Sequence, residues 1–194
     1  MEKENLTLDD FLSRFQLLRP QVNRATLNQR QAAVLIPVVR RAQPGLLLTQ
    51  RSPHMRKHAG QVAFPGGKVD PEDASVVDAA LREAQEEVGL DPGCVEVLGP
   101  LSTYVTGSSF IITPIVGLVR PDAVLQANPH EVADVFEVPL AFLLDPAHHR
   151  HHVVEWGGVR REWFSMPYQD GDKNRFIWGA TAGMLRNFYR FMRA

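Results

Sequence analysis

The sequence has a single cysteine, Cys94, among its 194 residues, so one chain cannot form a disulfide. This excludes the disulfide-rich class of secreted proteins and favours a reduced thiol that serves in packing. Long hydrophobic runs are also missing, because arginine, aspartate or histidine interrupts each apolar stretch before it could cross a bilayer. Residues 1–10 lack the basic start and apolar centre of a signal peptide. We therefore expect a cytoplasmic protein with no membrane partner.

The sequence also lacks an excess of one charge, since 21 basic residues balance 22 acidic ones and leave a net charge of −1. We therefore expect no large basic surface and no nucleic-acid partner. Hydrophobic residues make up 44% of the chain and charged residues 22%, a composition that excludes a disordered or fibrous protein. The length suits one domain. We predict an N-terminal helical extension over residues 1–29 and this domain over residues 30–194.

Hydrophobic periodicity and turn residues predict both helices and strands. The predicted helices cover residues 7–18, 74–88, 139–144 and 177–192, and the predicted strands cover residues 31–40, 46–50, 61–64, 95–105, 110–119, 152–156 and 159–164. Pro37 suggests that the first strand lies at a sheet edge or contains a bulge. We expect Pro65, Gly66 and Gly67 to end regular structure. This mixture predicts an α+β domain in which a sheet packs between helices.

The helix over residues 74–88 carries three carboxylates near its end. Because a helix turns about 100° per residue, four apolar side chains fall on one core-facing stripe. These four are Val77, Leu81, Ala84 and Val88. Glu83 and Glu87 are then expected one turn apart on the opposite side, with Glu86 beside them. Like charges at this spacing repel each other, so they need a compensating partner or full solvation.

Two glycines, Gly66 and Gly67, precede this helix and can turn the backbone tightly. Hard divalent cations bind several oxygens, and Mg²⁺ prefers a few carboxylates together with substrate phosphates. A glycine-containing segment beside an acidic helix face can supply such oxygens. From the residues alone two interpretations stay open: a metal site, or a surface helix whose glutamates face water.

The segment that ends in this helix resembles the signature of the Nudix hydrolase family. That signature runs from a glycine through a loop to Arg-Glu-aliphatic-x-Glu-Glu-x-Gly-aliphatic. Here Gly67 begins the pattern, and residues 82–90 end it with Arg-Glu-Ala-Gln-Glu-Glu-Val-Gly-Leu. The chain departs from the family in three ways: Ala84 is small for an aliphatic position, Asp73 replaces a glutamate, and one extra residue separates Asp73 from Arg82. The resemblance implies the Nudix fold, a mixed β-sheet sandwiched between α-helices.

The resemblance also implies roles for the residues of this segment. The cofactor would be Mg²⁺ or Mn²⁺, and the ligands implied are Glu83, Glu86, Glu87 and the carbonyl group of Gly66. Arg82 would hold a carboxylate in place, although an ordinary surface arginine is the alternative. The residues with a structural role in the signature would be Gly67, Asp73, Arg82 and Gly89.

The general base is left open, because Nudix enzymes vary in where it comes from. One of the box carboxylates, Glu83 or Glu86, is a candidate. Glu131, in the segment Pro-His-Glu-Val-Ala, resembles a loop glutamate that other members use as ligand or base. An ordinary loop carboxylate is the alternative interpretation of Glu131.

A second set of motifs resembles the coenzyme A pyrophosphatase branch of the family. These motifs are residues 47–52 (Leu-Leu-Thr-Gln-Arg-Ser), Arg56, residues 60–67 (Gly-Gln-Val-Ala-Phe-Pro-Gly-Gly) and residues 177–182 (Ile-Trp-Gly-Ala-Thr-Ala). The resemblance implies hydrolysis of coenzyme A (CoA) to 3′,5′-ADP and 4′-phosphopantetheine. Arg51 and Arg56 are candidates for binding its phosphates, because guanidinium matches phosphate oxygens bidentately. A solvated basic loop is the alternative.

Two other functions stay open at this point. The first is a Nudix pyrophosphatase that acts on another nucleoside diphosphate derivative, such as ADP-ribose, NADH or a capped RNA end. The second is a ligand-sensing Nudix-like domain without catalysis, but such a domain should have lost metal carboxylates that this chain retains. The expected partner is a small-molecule substrate, and the sequence leaves open whether the chain forms a homodimer.

Overall fold

The computed structural model describes residues 5–18 and 30–194. Its helices are α1 (Leu8–Leu17), α2 (Val76–Val88), α3 (Leu140–Leu143) and α4 (Gly179–Arg193). Its strands are β1 (Arg30–Val39), β2 (Gly45–Arg51), β3 (Val62–Ala63), β4 (Gly66–Lys68), β5 (Val95–Pro100), β6 (Tyr104–Val105), β7 (Phe110–Val119), β8 (Val132–Pro139), β9 (Arg150–Trp156), β10 (Val159–Asp170) and β11 (Lys173–Trp178). In the predicted extension, residues 1–4 and 19–29 lie outside the described residues.

The strands form one large mixed sheet and one small antiparallel sheet. The large sheet has the order β3-β2-β1-β7-β5, while β4 pairs with β1, β6 with β7 and β8 with β2. Strands β1 and β7 run parallel, and the other pairs are antiparallel. The small sheet has the order β11-β10-β9.

Helices cover both faces of the large sheet, which confirms the predicted α+β sandwich. Because successive strand residues point to opposite faces, β1 divides its side chains between two cores. Val34, Ile36 and Val38 pack in one cluster with residues of α1 and α4. Ala33 and Leu35 pack in the other cluster with residues of α2. Among the described residues, no helix is long and apolar enough to span a membrane.

Helix α1 was predicted correctly within one or two residues. Thr7 caps it, since the Thr7 hydroxyl accepts a hydrogen bond from Asp10 N while the Asp10 carboxylate accepts one from Thr7 N. Phe11 and Phe15 are buried against α4, where Phe11 meets the Phe188 ring at a centroid distance of 6.1 Å. Helix α1 thus completes one of the two cores, and the division of the chain at residue 30 stays a prediction.

The edge or bulge predicted at Pro37 was wrong, because β1 is a central strand whose parallel register with β7 is unbroken. The backbone groups of successive residues in β1 alternate in direction. Leu35 N donates a hydrogen bond to Pro65 O, on the side away from β7, so the other odd-numbered residues of β1 face that side as well. On that side β4 pairs only as far as Val34, and β2 starts to pair at Val38. The missing N–H of Pro37 therefore faces the gap between two strands and costs no ladder hydrogen bond.

The prediction that Gly66 and Gly67 end regular structure was also wrong, because they form β4 and pair with β1. A Cβ atom on Gly66 would lie 2.5 Å from the carbonyl oxygen of Ala33. Glycine is therefore needed here for the close approach of two strands rather than for a turn.

Several strand boundaries also differ from the prediction. The stretch predicted as one strand over 95–105 is two strands, β5 and β6, and β8 and β11 were not predicted. Helix α4 starts at Gly179 rather than at residue 177, because Ile177 and Trp178 pair with β10. The predicted hairpin across Gly157 and Gly158 is confirmed, although β10 continues as far as Asp170.

Candidate active site

Helix α2 packs along β4 and presents its carboxylates to that strand. Its start is capped by Ser75, whose hydroxyl accepts a hydrogen bond from Asp78 N at 3.1 Å. Its end is set by Gly89, whose left-handed backbone (φ 66°) ends the helix as predicted. These caps fix the length of the helix and therefore which turn faces β4.

Glu83 and Glu87 do not lie on the solvent side of α2, so that expectation was wrong. Glu87 is only 6% exposed and Glu83 is mostly buried, whereas the side chain of Glu86 is 56% exposed. On a helical wheel Glu83 and Glu87 flank the apolar stripe rather than oppose it. They therefore lie at the border between α2 and the sheet, where β4 covers them.

The glycines of β4 make room for these carboxylates. A Cβ atom on Gly67 would lie 2.5 Å from Glu83 Oε1, so only glycine lets this carboxylate rest against the strand. Pro65 O and Val69 N bond to β1, so the alternate residues Gly66 and Lys68 direct their backbone groups away from it. Lys68 O accepts a hydrogen bond from Arg82, and the Gly66 N–H faces Glu87. The Gly66 carbonyl thus points away from β1, as its N–H does, toward the side of β4 where Glu87 lies.

Arg82 connects the loop before α2 with the carboxylates of the helix. Its Nε and Nη2 atoms donate to the two carboxylate oxygens of Asp73 at 2.9 and 3.0 Å. Its Nη1 atom donates to Glu83 Oε1 and to both Glu86 oxygens at 3.3 Å. Asp70 lies 3.3 Å from Nη2 as well. This guanidinium therefore fixes two of the helix carboxylates against the loop that precedes α2.

Burial and mutual repulsion disfavour full ionisation of the carboxylate cluster. Burial raises the pKa of Glu87 to about 8, and the charges of Glu83 and Glu131 act in the same direction. The positive charge of Arg51 and the N–H of Gly66 oppose this rise. Burial also raises the pKa of Glu83, although the neighbouring Arg82 opposes it. A cation placed among these oxygens would relieve the repulsion.

Strands β2 and β8 bring Arg51 and Glu131 to the same place. Arg51 is the last residue of β2 and pairs with Val132, and Ser52 N donates to Glu131 O at 2.9 Å. The Nε atom of Arg51 is buried without a hydrogen-bond partner among the described residues. Arg56 lies exposed on the following loop, and within the described ranges it makes no ion pair with the carboxylates.

The donor set suits a hard divalent cation, although the side chains do not form a complete shell as they stand. Within residues 5–18 and 30–194, no three histidine, cysteine, aspartate or glutamate side chains are arranged to hold one ion. Glu83, Glu87 and Glu131 nevertheless influence one another electrostatically beside Gly66. These are the oxygen donors that Mg²⁺ and Mn²⁺ prefer, with water and substrate completing the shell.

The comparisons with known proteins agree with this geometry. The family model described as the NUDIX domain matches residues 29–167. The protein belongs to the Nudix hydrolase family. The predicted family is thereby confirmed, and the fold predicted from it agrees with the sandwich described above.

Relatives of this Nudix hydrolase span nearly its whole length. It is 57% identical over 187 residues to proteins named "Uncharacterized Nudix hydrolase NudL" from Escherichia coli O1:K1 / APEC and from Shigella boydii serotype 18. The match covers 96% of this chain and 95% of each relative. A solved MutT/nudix family protein from Enterococcus faecalis shares the fold, with a TM-score of 0.51 and 15% identity over 97% of this chain and 70% of that one.

Sequence reasoning missed two residues that support this Nudix site. Asp70 reaches Arg82 from the loop before α2, and acidic loop residues are too common to single out. Arg175 on β11 is only 5% exposed and binds Asp134 of β8 and Gln50 of β2, the neighbour of Arg51. An alternating strand pattern around Ile177 would have placed Arg175 inside the protein, but Ile177 was assigned to the start of the last helix and residues 165–176 to no element.

Proposed function

We propose that this Nudix hydrolase cleaves the pyrophosphate bond of CoA or of its derivatives, with Mg²⁺ or Mn²⁺ as the cofactor. The products are 3′,5′-ADP and 4′-phosphopantetheine. The observation that carries the proposal concerns Arg51, which belongs to the segment resembling the CoA pyrophosphatase signature. It lies close enough to Glu87 of the Nudix signature for its charge to lower the pKa of that carboxyl group. Arg51 is partly exposed and its positive charge lowers the pKa of Glu87, so its guanidinium is suited to a phosphate that also binds the cation.

The residues that would hold the cation are Gly66, Glu83, Glu86, Glu87 and Glu131. Their fit rests on oxygen chemistry and on the raised pKa values of Glu83 and Glu87, which indicate repulsion that a cation offsets. A bound Mg²⁺ or Mn²⁺ neutralises the pyrophosphate, orients it and lowers the pKa of a water molecule.

Side chains of the protein bind the phosphate groups, hold the carboxylates in position and accept a proton. Arg51 pairs with non-bridging oxygens of one phosphate, and Arg82 keeps Glu83 and Glu86 in position. Glu131, or one of the two carboxylates held by Arg82, accepts the proton of the attacking water. The water oxygen bonds to one phosphorus, the bridging P–O bond breaks, and the departing phosphate keeps the electron pair.

The role of Glu131 as base or ligand is tested by Glu131→Gln. This change keeps the size of the side chain but removes its charge, so we expect kcat to fall by about 100-fold or more. A Glu131→Gln protein with full activity would remove Glu131 from the site and leave Glu83 or Glu86 as the base.

The substrate is tested by product analysis with mass spectrometry. The protein is incubated with CoA, ADP-ribose or NADH in the presence of Mg²⁺ or Mn²⁺. We expect 3′,5′-ADP and 4′-phosphopantetheine from CoA, loss of both products in Glu87→Gln, and no loss in Glu72→Gln, an exposed control. Faster cleavage of another compound would keep the mechanism and discard CoA. No cleavage of any compound would favour a ligand-sensing domain.

The roles of Arg51 and Arg56 in binding phosphate are distinguished with dephospho-CoA, a substrate that lacks the 3′-phosphate. If Arg56 binds that group, Arg56→Ala raises KM for CoA but not for dephospho-CoA. Arg51→Ala should impair both substrates equally, because both contain the pyrophosphate. Equal effects of Arg56→Ala on the two substrates would contradict the assignment of Arg56.

A further inference from the structure

The hairpin of β9 and β10 leaves an apolar edge strand in contact with solvent. Strand β9 pairs with β10 and with no other strand among the described residues. Val153, Val154 and Val159 are exposed, and Trp156 is 88% exposed. A two-stranded ribbon with apolar side chains on both faces is marginally stable in water, and such an edge is a template for another strand.

The turn of the hairpin determines which backbone groups face that edge. Gly157 and Gly158 both have positive φ, at 59° and 75°, as a two-residue type I′ turn requires. Such a turn bonds Trp156 to Val159, and by alternation the even-numbered residues of β9 bond to β10. The N–H and carbonyl groups of His151, Val153 and Glu155 therefore point outward.

We infer that β9 is a dimer interface, where it pairs antiparallel with β9 of a second copy about a twofold axis at Val153. The two small sheets would then form one continuous six-stranded sheet. The inference does not depend on the proposed function, since no residue of β9 belongs to the candidate active site.

The distribution of side chains along β9 selects this register. With Val153 opposite its own copy, all seven residues of β9 find a partner in the other strand. His151, whose Nε2 already bonds to Glu162 at 3.0 Å, then lies opposite Glu155, so in the doubly protonated imidazolium its Nδ1–H can donate to that carboxylate. Arg150 lies opposite the exposed Trp156. These two pairs occur twice because of the symmetry.

The neighbouring registers are less favourable. Shifting the axis to His152 places that residue opposite itself and leaves Glu155 and Trp156 beyond the end of the partner strand. Shifting the axis to Val154 places Glu155 opposite Val153 and leaves Arg150 and His151 without partners. Either shift loses the His151–Glu155 pair and covers less apolar surface, so the pattern specifies one register.

The first test is the mass of the full chain in solution, measured by light scattering after size-exclusion chromatography. We expect a species of twice the 21.7 kDa chain mass. Val153→Lys places two ammonium groups across the axis and should give monomers. The matched control is Val105→Lys, which changes an exposed valine on β6 and should leave the dimer intact. A monomeric native protein, or a dimer that survives Val153→Lys, would overturn the inference.

The second test checks the register by disulfide formation. Directly opposed strand residues have Cα atoms about 5.5 Å apart, within the range that a disulfide spans. Val153→Cys should therefore give a covalently linked dimer under mild oxidation, whereas the native chain, whose one cysteine is Cys94, should not. Val154→Cys lies opposite His152 in this register and should not link. Linking through position 154 instead of 153 would overturn the proposed pairing.

Discussion

At the scale of single residues, Glu87 makes the metal-free protein sensitive to pH. Its pKa is about 8 in the folded chain against 4.5 for an unperturbed glutamate, so the folded state favours the protonated form. The free energy of unfolding should therefore fall as pH rises from about 4.5 to 8, because the folded chain binds the proton more tightly. Thermal unfolding in the presence of a chelator measures this effect.

The control for this prediction is Glu87→Gln, which has no carboxyl group to ionise. Its melting temperature should change less over the same pH range than that of the native protein. Added Mg²⁺ should raise the melting temperature of the native protein more at pH 8 than at pH 6, because it binds the ionised form. Parallel pH curves for the two proteins would show that Glu87 does not carry the effect.

Arg82 gives a second prediction at this scale. Arg82→Lys cannot reproduce the two-pronged bond to Asp73 while also reaching Glu83 and Glu86. We expect the free energy of unfolding to fall by about 1–3 kcal/mol, and kcat to fall as well. Urea unfolding and initial rates measure these two quantities.

The matched control is Arg120→Lys, because Arg120 also pairs bidentately with an aspartate but lies on the exposed surface. Its effect on stability should stay within about 1 kcal/mol. Equal effects of the two substitutions would mean that the Arg82 network adds nothing beyond an ordinary surface ion pair.

At the scale of elements, the contact between β4 and α2 gives a third prediction. Gly67→Ala puts a Cβ atom where Glu83 Oε1 now lies, so the carboxylate must move. Because small displacements of catalytic groups cost about 10- to 100-fold in rate, kcat/KM should fall in this range. Gly107→Ala is the control, since its Cβ would meet no atom within 4 Å. An unchanged rate in Gly67→Ala would show that the position of Glu83 does not matter.

The link between the two sheets gives a fourth prediction. Arg175 of β11 is nearly buried, binds Asp134 at 2.5 Å and Asp170 at 2.8 Å, and lies over the Phe136 ring. Arg175→Met leaves two partly exposed carboxylates without this partner and should lower the free energy of unfolding by about 1–3 kcal/mol. Lys173→Met removes an exposed cation from the same Asp134 and should cost less than about 1 kcal/mol. Equal losses would contradict this account.

Elements marked by local signals could be predicted from the sequence, and elements made by distant pairing could not. Helix α2 has Ser75 and Gly89 at its ends, and the hairpin has Gly157 and Gly158 at its turn, so each carries its own boundaries. Strand β8 has no such marks and exists because β2 pairs along its whole length. Strand β11 continues directly into α4, and the two are separated by the pairing of β11 with β10 and by the left-handed backbone of Gly179 (φ 63°).

At the scale of the whole molecule, part of the candidate site could be predicted from local sequence, and part depends on pairing between distant segments. The spacing of Arg82, Glu83, Glu86 and Glu87 identified the family, because these residues lie on one helix and their signature is local. The burial of Glu87 could not be predicted, since it depends on how closely β4 approaches α2. The meeting of Arg51 with Glu131 was equally out of reach, because it depends on the pairing of β2 with β8.

The strand order has a consequence for how the protein folds. Arg30 lies opposite Phe110, and Arg51 lies opposite Val132, so each pairing closes a chain segment of about 80 residues. Pairings between residues so distant in sequence slow folding, since the chain loses entropy before the contacts form. Arg51 and Glu131 come together only through the second of these closures. We therefore expect helix α2 to form early from local signals, and the cluster on its surface to be completed only once β2 has paired with β8.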